Sequence, residues 1–239
     1  MLEAFGASDP GCVRTNNEDS YLVVPDTGLY LVADGMGGAA AGETASRIAT
    51  DTLQEILEEE ADEGMNPTKL VTAFHEANRR IKAAALQDSK LEGMGTTLVT
   101  AVKFGDQMLV ASVGDSRAYN YENGAISQIT EDQSWVNEIG RRLGLPEDTL
   151  KTHPMRHVLT MALGVSEQLK VNLYTVTIAV GALMLICSDG LYNVVTDPEI
   201  AQVLNSGGSL ERRTKLLIDT ARAHGAPDNV TVVLVQHAA

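Results

Sequence analysis

The hydrophobic positions of this chain change period several times, and each change predicts a different element. Apolar runs of strand length occupy residues 21–24 and 29–33, with turn residues between them. We expect these two runs to pair as an antiparallel hairpin. Residues 43–60 then place apolar side chains at helical spacing, and a second such pattern follows Asn66-Pro67, an expected helix start. Both helices are amphipathic, which predicts that they cover a sheet.

Strand patterns dominate the middle of the chain and return near its end. We predict strands at residues 96–103, 108–113, 116–121, 171–178, 183–187 and 229–236. Asn123-Gly124 indicates a tight hairpin turn. Two further helices are expected at residues 197–204 and 209–223. Because strands come in hairpins and helices in pairs, the predicted class is α+β.

Residues 130–163 have no clear pattern. A short helix is expected near residues 135–143, and Gly144, Pro146 and Pro154 interrupt the rest of the segment. A long irregular segment inside a compact domain is usually a functional loop or lid. We therefore predict a flap over these residues.

Composition limits the classes of protein that fit this pattern. The chain has 239 residues and no shift in composition, which predicts one domain over residues 1–239. Its net charge of −14 argues against binding nucleic acid or anionic membranes. Cys12 and Cys187 have no metal-ligand spacing, so a reducing compartment is expected. With no evident signal peptide or membrane span, we predict a cytoplasmic protein, most simply a monomer.

Five aspartates lie at the ends of predicted strands. Asp34, Asp115 and Asp189 come after strands, whereas Asp19 and Asp228 precede them. In an antiparallel sheet the start of one strand lies beside the end of its neighbour, so all five can meet on one rim. The alternative, that they are independent turn acids, is weakened by the similar contexts of two of them, Leu-Val-Ala-Asp-Gly and Leu-Ile-Cys-Ser-Asp-Gly.

So many carboxylates in one place require neutralising cations, and an all-oxygen set favours magnesium or manganese. Two such ions would acidify a bridging water and hold the oxygens of an in-line displacement. Arg14 lies just before Asp19, and its guanidinium is suited to bidentate capture of a phosphate. By itself, a lone arginine would be interpreted as a surface residue.

Six motifs in this order resemble the metal-dependent serine/threonine protein phosphatases of type two C, in their compact bacterial form. One is Val32-Ala33-Asp34-Gly35-Met36-Gly37-Gly38. The full set occupies residues 8–19, 32–38, 93–97, 113–117, 187–191 and 228–231. Each motif is weak alone, but six in order are specific, and the match covers essentially the whole chain.

The resemblance implies a central antiparallel β-sandwich flanked by helix pairs on both faces, with metals at one end. Asp34 would bridge two core ions, Mn²⁺ or Mg²⁺, and the Gly35 carbonyl would bind one of them. Asp189 and Asp228 would hold the other ion.

The same resemblance implies further site residues. Glu18 and Asp19 would bind metal directly or through its waters. Asp115 matches a residue that, with Asp189, helps to hold a third and weaker ion.

The resemblance also assigns a phosphate-binding role to Arg14 and places the flap, residues 130–163, beside the active site. The chain departs from animal relatives at Met36, where they often carry a histidine credited as the general acid. Methionine cannot donate a proton, so water or another group must do so. His153 and His157 lie in the flap, and we expect surface roles for both.

The predicted function is hydrolysis of phosphoserine and phosphothreonine in proteins by in-line attack of a metal-bridging water or hydroxide. The resemblance implies a signalling role opposite bacterial serine/threonine kinases. The main alternative is a catalytically silent, partner-binding module of the same fold. A nucleotide-binding glycine loop at residues 35–42 is a weaker alternative, because the lysine of such loops is missing.

Overall fold

The computed structural model describes residues 2–59 and 65–238, which form two antiparallel sheets packed face to face. The first sheet contains, in spatial order, β1 (Leu2–Asp9), β11 (Val230–His237), β10 (Leu183–Cys187), β7 (Arg117–Glu122) and β8 (Ala125–Gln128). The second contains β2 (Asp19–Val24), β3 (Leu29–Met36), β5 (Leu98–Phe104), β6 (Gln107–Val113) and β9 (Asn172–Val176). A short strand, β4 (Gly95–Thr96), pairs with the end of β3.

Helices cover both outer faces of the sandwich. The long helices α1 (Ala39–Glu59) and α2 (Pro67–Gln87) share a core with the second sheet. The first sheet packs against α4 (Asp189–Tyr192), α5 (Asp197–Asn205) and α6 (Leu210–Ala223). A third core lies between the sheets, which confirms the predicted α-β-β-α layers. None of the helices within the described residues combines the length and hydropathy of a membrane span.

The apolar run in β3 exists because this strand is buried on both faces. Leu29, Leu31 and Ala33 face the helices, whereas Tyr30 and Val32 face the other sheet. Side chains alternate along a strand, so the next residue on the inter-sheet face is Asp34. The strand thus directs a carboxylate towards the gap between the two sheets.

Two predicted helix starts are confirmed by their caps. The Asn66 side chain accepts a hydrogen bond from the Lys69 backbone N–H, and Pro67 occupies the first helical position. In the same way, the Ser209 hydroxyl accepts from the backbone N–H of Arg212 at the start of α6. Local sequence therefore determines where these helices begin.

Several boundaries differ from the prediction. The strand expected to end at residue 33 continues to Met36, so Asp34 lies inside it. Helix α1 begins at Ala39, earlier than the expected residue 43, and residue 60 lies outside the described residues. Strands β1 and β8 and the short helix α4 were not predicted.

The predicted flap, residues 130–163, is folded back on itself. It contains a π-helical turn, Val136–Gly140, and helix α3 (Glu147–Thr152). Trp135 stacks on His153 with ring centres 4.3 Å apart and planes 12° apart. Isolated bridges pair Ser134 with Leu159 and Leu163 with Thr96, which join the flap to the end of β3 through β4.

Candidate functional site

The five predicted aspartates lie at the same end of the sandwich. Asp19 and Asp34 are directly opposite each other in the β2–β3 ladder, so their side chains share a face. From the first sheet, Asp189 comes after β10, whereas Asp115 and Asp228 precede β7 and β11. Because these strands are antiparallel neighbours, their three acids also reach this end.

Asp34 lies at the centre of this group. Burial raises the pKa of its carboxyl group well above the ordinary value, and the charges of Asp19, Asp189, Asp115 and Asp228 raise it further. Each of the four other acids therefore raises the pKa of Asp34. Burial and these neighbouring charges therefore disfavour the ionised form of Asp34 when no cation is bound.

Asp19 is held by hydroxyl groups from the opposite sheet. Its Oδ2 accepts hydrogen bonds from the hydroxyls of Ser188 at 2.8 Å and Thr231 at 2.6 Å. Burial raises its pKa to about 7 despite these two bonds. Its Oδ1 is buried and has no partner among residues 2–59 and 65–238. A buried carboxylate oxygen without a hydrogen-bond donor is a free acceptor for a cation.

Asp115 and Asp189 form the other side of the cluster. The pKa of Asp115 is raised to about 8, first by burial and then by the charge of Asp189. Burial and the charge of Asp228 raise the pKa of Asp189 to about 6, while hydrogen bonds with Asp34 and Asn193 lower it. Burial and mutual repulsion therefore oppose the simultaneous ionisation of these acids.

The backbone at Asp34 is held by hydrogen bonds to two threonines from the β4–β5 segment. Its N–H donates to the Thr97 hydroxyl at 3.1 Å, and its carbonyl accepts from the Thr96 hydroxyl and the Thr97 N–H, both at 2.9 Å. The Thr97 hydroxyl also lies 2.7 Å from that of Ser116, next to Asp115. Neither threonine was predicted as a site residue, although both belong to the motif at residues 93–97.

Gly35 and Glu18 lie against the first residues of α1. The Gly35 N–H donates to the Glu18 carbonyl at 3.2 Å, and a Cβ at Gly35 would lie 2.2 Å from the Gly42 carbonyl oxygen. The Glu18 carboxylate accepts from the Asn16 amide at 3.3 Å. A Cβ at Gly42 would lie 2.0 Å from its Oε2. Gly42 therefore makes room for Glu18, a role that the sequence did not indicate because the predicted helix began only at residue 43.

Arg14 lies beside Asp228 at the outer edge of the site. Its Nη2 is 2.8 Å from Asp228 Oδ2, and both side chains are about half exposed, at 51% and 40%. The neighbouring Asn229 side chain accepts from the Glu18 N–H and donates to the carbonyls of Pro10 and Asn16. Asn229 thus joins the N-terminal loop to β11, which sequence reasoning missed.

The two flap histidines lie in different surroundings. His153 stacks on Trp135, and its Nδ1 accepts from the Met155 N–H at 3.2 Å. His157 is exposed. Partial burial and the charge of Arg156 lower its pKa, and the charge of Asp228 opposes this shift.

Among the described residues, we find no group of three or more His, Cys, Asp or Glu side chains that is already arranged to hold a metal ion. The donor set nevertheless fits a hard divalent cation. It contains only oxygen, it includes the unpaired Oδ1 of Asp19, and burial raises the pKa of Asp19 and Asp34, a cost that a bound cation would offset.

Comparisons with known proteins agree with this geometry. Residues 13–229 match the family model described as protein phosphatase 2C. A serine/threonine phosphatase, stp, of Listeria welshimeri is 36% identical over 248 residues, which cover 98% of this chain and 96% of the relative. The serine/threonine protein phosphatase PstP of Mycobacterium tuberculosis is 36% identical over 98% of this chain and 45% of its own length.

Solved structures show the same fold. The structure of the Mycobacterium tuberculosis phosphatase PstP/Ppp superposes with a TM-score of 0.89 at 34% identity, covering 100% of this chain and 99% of that one. The catalytic domain of PstP in complex with two manganese ions gives a TM-score of 0.85 at 32% identity, with the same coverage. The chain belongs to the protein phosphatase 2C family.

Proposed function

We propose that the chain is a metal-dependent protein phosphatase that hydrolyses phosphoserine and phosphothreonine. The observation that carries this proposal is the position of Asp34, buried among four other aspartates at one end of the sandwich, with Arg14 at the outer edge of the same group. An acid cluster of this kind binds divalent cations, and an adjacent guanidinium binds a phosphate.

We assign two ions, Mn²⁺ or Mg²⁺, to Asp34, the Gly35 carbonyl, Asp189 and Asp228. When bound, such ions lower the pKa of water and neutralise charge on a phosphoryl group. Glu18 and Asp19 would bind an ion directly or through water, and this proposal is supported by the unpaired Oδ1 of Asp19. Asp115 and Asp189 would hold a third, weaker ion.

We assign substrate binding to Arg14. Its guanidinium is half exposed and keeps donors beyond the one that meets Asp228, so a phosphate can be bound from the solvent side. Water is the nucleophile, and no covalent phosphoenzyme is required. Met36 offers no proton, so the leaving serine or threonine oxygen must receive its proton from water or another group.

The decisive experiment measures hydrolysis of p-nitrophenyl phosphate and of a phosphothreonine peptide with and without Mn²⁺. We expect activity that requires the metal, disappears with chelator and is lost in Asp34→Ala. Activity that resists chelation, or that survives this substitution, would refute the mechanism.

A second experiment isolates Arg14. We expect Arg14→Ala to raise KM for the phosphopeptide roughly tenfold to a hundredfold, because hydrogen bonds to charged groups are strong. Tight Mn²⁺ binding measured by calorimetry should change less. An unchanged KM and turnover would remove Arg14 from substrate binding.

The catalytically silent module is not favoured, because every predicted metal-binding acid is present and the family relatives are named as phosphatases. Absence of activity on any phosphopeptide, together with retained metal binding, would restore it.

We further propose a single catalytic domain over residues 1–239, a monomeric state and a serine/threonine kinase as the opposing partner in signalling. The three cores that share the two sheets support one domain. A cytoplasmic location is supported by Cys12 and Cys187, both free thiols.

A further inference from the structure

A largely buried arginine, Arg117, lies two residues after Asp115 at the start of β7, opposite Cys187 of β10, which comes two residues before Asp189. Its Nη2 donates to Asp132 Oδ2 at 2.7 Å and its Nε to Asp132 Oδ1 at 2.9 Å. Its Cζ also lies 3.5 Å from the centre of the Tyr192 ring. The paired side chains of Arg117 and Asp132 are only 21% and 7% exposed, so this bidentate pair is sheltered from water.

Tyr192 connects the two acid-bearing segments directly. It is the last residue of α4, the short helix that begins at Asp189. Its hydroxyl donates to the Asp115 carbonyl at 2.9 Å. One side chain therefore contacts the backbone of Asp115 while its own backbone lies within one helical turn of Asp189.

The first residues of the flap, which form its base, are hydrogen-bonded to the segment that carries Asp115. The Gln133 backbone N–H donates to the Gly114 carbonyl, and the Gly114 N–H donates to Gln133 Oε1, both at 2.9 Å. Asp132 and Gln133 are adjacent in the chain. The flap thus contacts residues on both sides of Asp115, through Gly114 and through Arg117.

We propose that Arg117, Tyr192 and Asp132 are positioning residues that set the spacing between the carboxylates of Asp115 and Asp189. This spacing determines the affinity of the weak metal site assigned to these two acids, and it couples that site to the base of the flap. The inference rests on the proposed metal-dependent phosphatase function. None of the three residues need touch substrate or a metal ion.

The test compares Tyr192→Phe with Tyr121→Phe. Tyr121 is a matched control, because its hydroxyl is buried and has no partner among the described residues. Electron paramagnetic resonance of free Mn²⁺ counts the ions bound at each concentration, and hydrolysis of p-nitrophenyl phosphate gives the Mn²⁺ concentration for half-maximal turnover.

In Tyr192→Phe we expect the two tight ions to remain and the weak site to lose about tenfold in affinity, because the Asp115 carbonyl loses its donor. The half-maximal Mn²⁺ concentration should rise by the same factor. Tyr121→Phe should match the wild type in both. A residue with only a structural role would lower the melting temperature of the metal-free protein without this selective shift.

The proposal is overturned if Tyr192→Phe keeps wild-type affinity at the weak site, or if it loses the tight ions equally. Should this variant fail to fold, Arg117→Lys decides by the same criteria. Lysine keeps the charge but cannot form the two parallel bonds to Asp132, so the weak site should again weaken. If the wild type binds manganese but hydrolyses nothing, the proposed function fails, and the spacing role is judged on ion binding alone.

Discussion

Asp34 and Asp189 come after nearly identical stretches of sequence but occupy different backbone environments. Asp34 lies inside β3, two residues before its end. Asp189 begins α4, with Ser188 as the N-cap residue. Each is followed by glycine for the same reason, because a Cβ at Gly35 or Gly190 would lie 2.2 or 2.0 Å from a carbonyl oxygen of another segment. The shared Asp-Gly pattern therefore indicates that a second chain segment approaches closely, and it does not indicate a shared secondary structure.

The two environments also give the carboxyl groups different acidities. Burial and four acidic neighbours raise the pKa of Asp34 well above its ordinary value. The pKa of Asp189 rises only to about 6, since hydrogen bonds from Asp34 and Asn193 oppose burial and the charge of Asp228. Hydrogen bonds thus counteract part of the rise in the pKa of Asp189, whereas burial and all four acidic neighbours raise the pKa of Asp34.

The strongest test of this difference removes each carboxylate in turn. We expect Asp34→Asn and Asp189→Asn each to reduce Mn²⁺-dependent turnover by at least about a hundredfold. Calorimetry should separate them, because Asp34 is assigned to both tight ions and Asp189 to one of them. Asp34→Asn should abolish both binding heats and Asp189→Asn only one. Loss of the same number of ions in both variants would contradict the bridging role of Asp34.

A second test breaks the hydrogen bond between the Asp34 backbone and the Thr97 hydroxyl, together with the contact of that hydroxyl with Ser116. Thr97→Val removes the acceptor for the Asp34 N–H and should lower the free energy of unfolding by about 1–3 kcal/mol, with turnover about tenfold lower. Thr100→Val is the matched control, since the Thr100 hydroxyl is buried on β5 and has no partner among the described residues. Equal effects of both substitutions on turnover would show that the threonine bond does not position Asp34.

The acidities themselves can be measured through stability. Asp19, Asp115 and Asp189 have folded-state pKa values raised to about 7, 8 and 6, so the metal-free fold binds protons more strongly than the unfolded chain. Their contribution to stability is present at low pH and is lost as the pH rises through these values.

We therefore expect the melting temperature of the metal-free protein to fall by at least roughly 10 °C between pH 5 and 9. Saturating Mn²⁺ should remove the fall, because the cation stabilises the ionised carboxylates. Asp189→Asn should remove the part of the fall near pH 6, and Asp115→Asn the part near pH 8. A melting temperature that rises steadily over this range would show that these acids are not protonated in the fold.

The smallest effect on metal binding is expected from substitution of Asn193, a hydrogen-bond partner of Asp189. The exposed Asn193 donates to Asp189 Oδ2 at 3.0 Å, so Asn193→Ala removes one opposing bond and should raise the pKa of Asp189. The pH at which Mn²⁺ binding is half lost should move up by about half a unit, with turnover at pH 8 within about twofold of the wild type. Titration of Mn²⁺ binding across pH values measures this shift.

The layered fold and the convergence of five aspartates could be predicted because both depend on local pattern and antiparallel geometry. The apolar run that ends at Ala33 shows a buried strand, and Asn123-Gly124 adopts the positive φ angles, 52° and 82°, expected of its hairpin turn. The roles of the individual acids stay predictions, since the geometry places them together without a bound ion.

The features that could not be predicted depend on contacts between distant segments. Strand β1 is only half buried and shows no regular alternation, so its pairing with β11 is a tertiary effect. The bonds from Thr97 to Asp34 and from Tyr192 to Asp115 join residues 63 and 77 positions apart. No local periodicity encodes such a bond, and only the folded arrangement identifies its partners.

The position of β11 has a consequence for synthesis of the chain. This strand, the last of the eleven, lies between β1 and β10, and the residues just before it supply Asp228 and the amide that holds the Glu18 loop. While the ribosome is still making residues 230–237, β1 has no partner from β11. The first sheet is therefore completed only after translation of its final strand, which makes folding dependent on contacts of high sequence separation. Until then, the nascent chain exposes open strand edges that a holdase chaperone can protect.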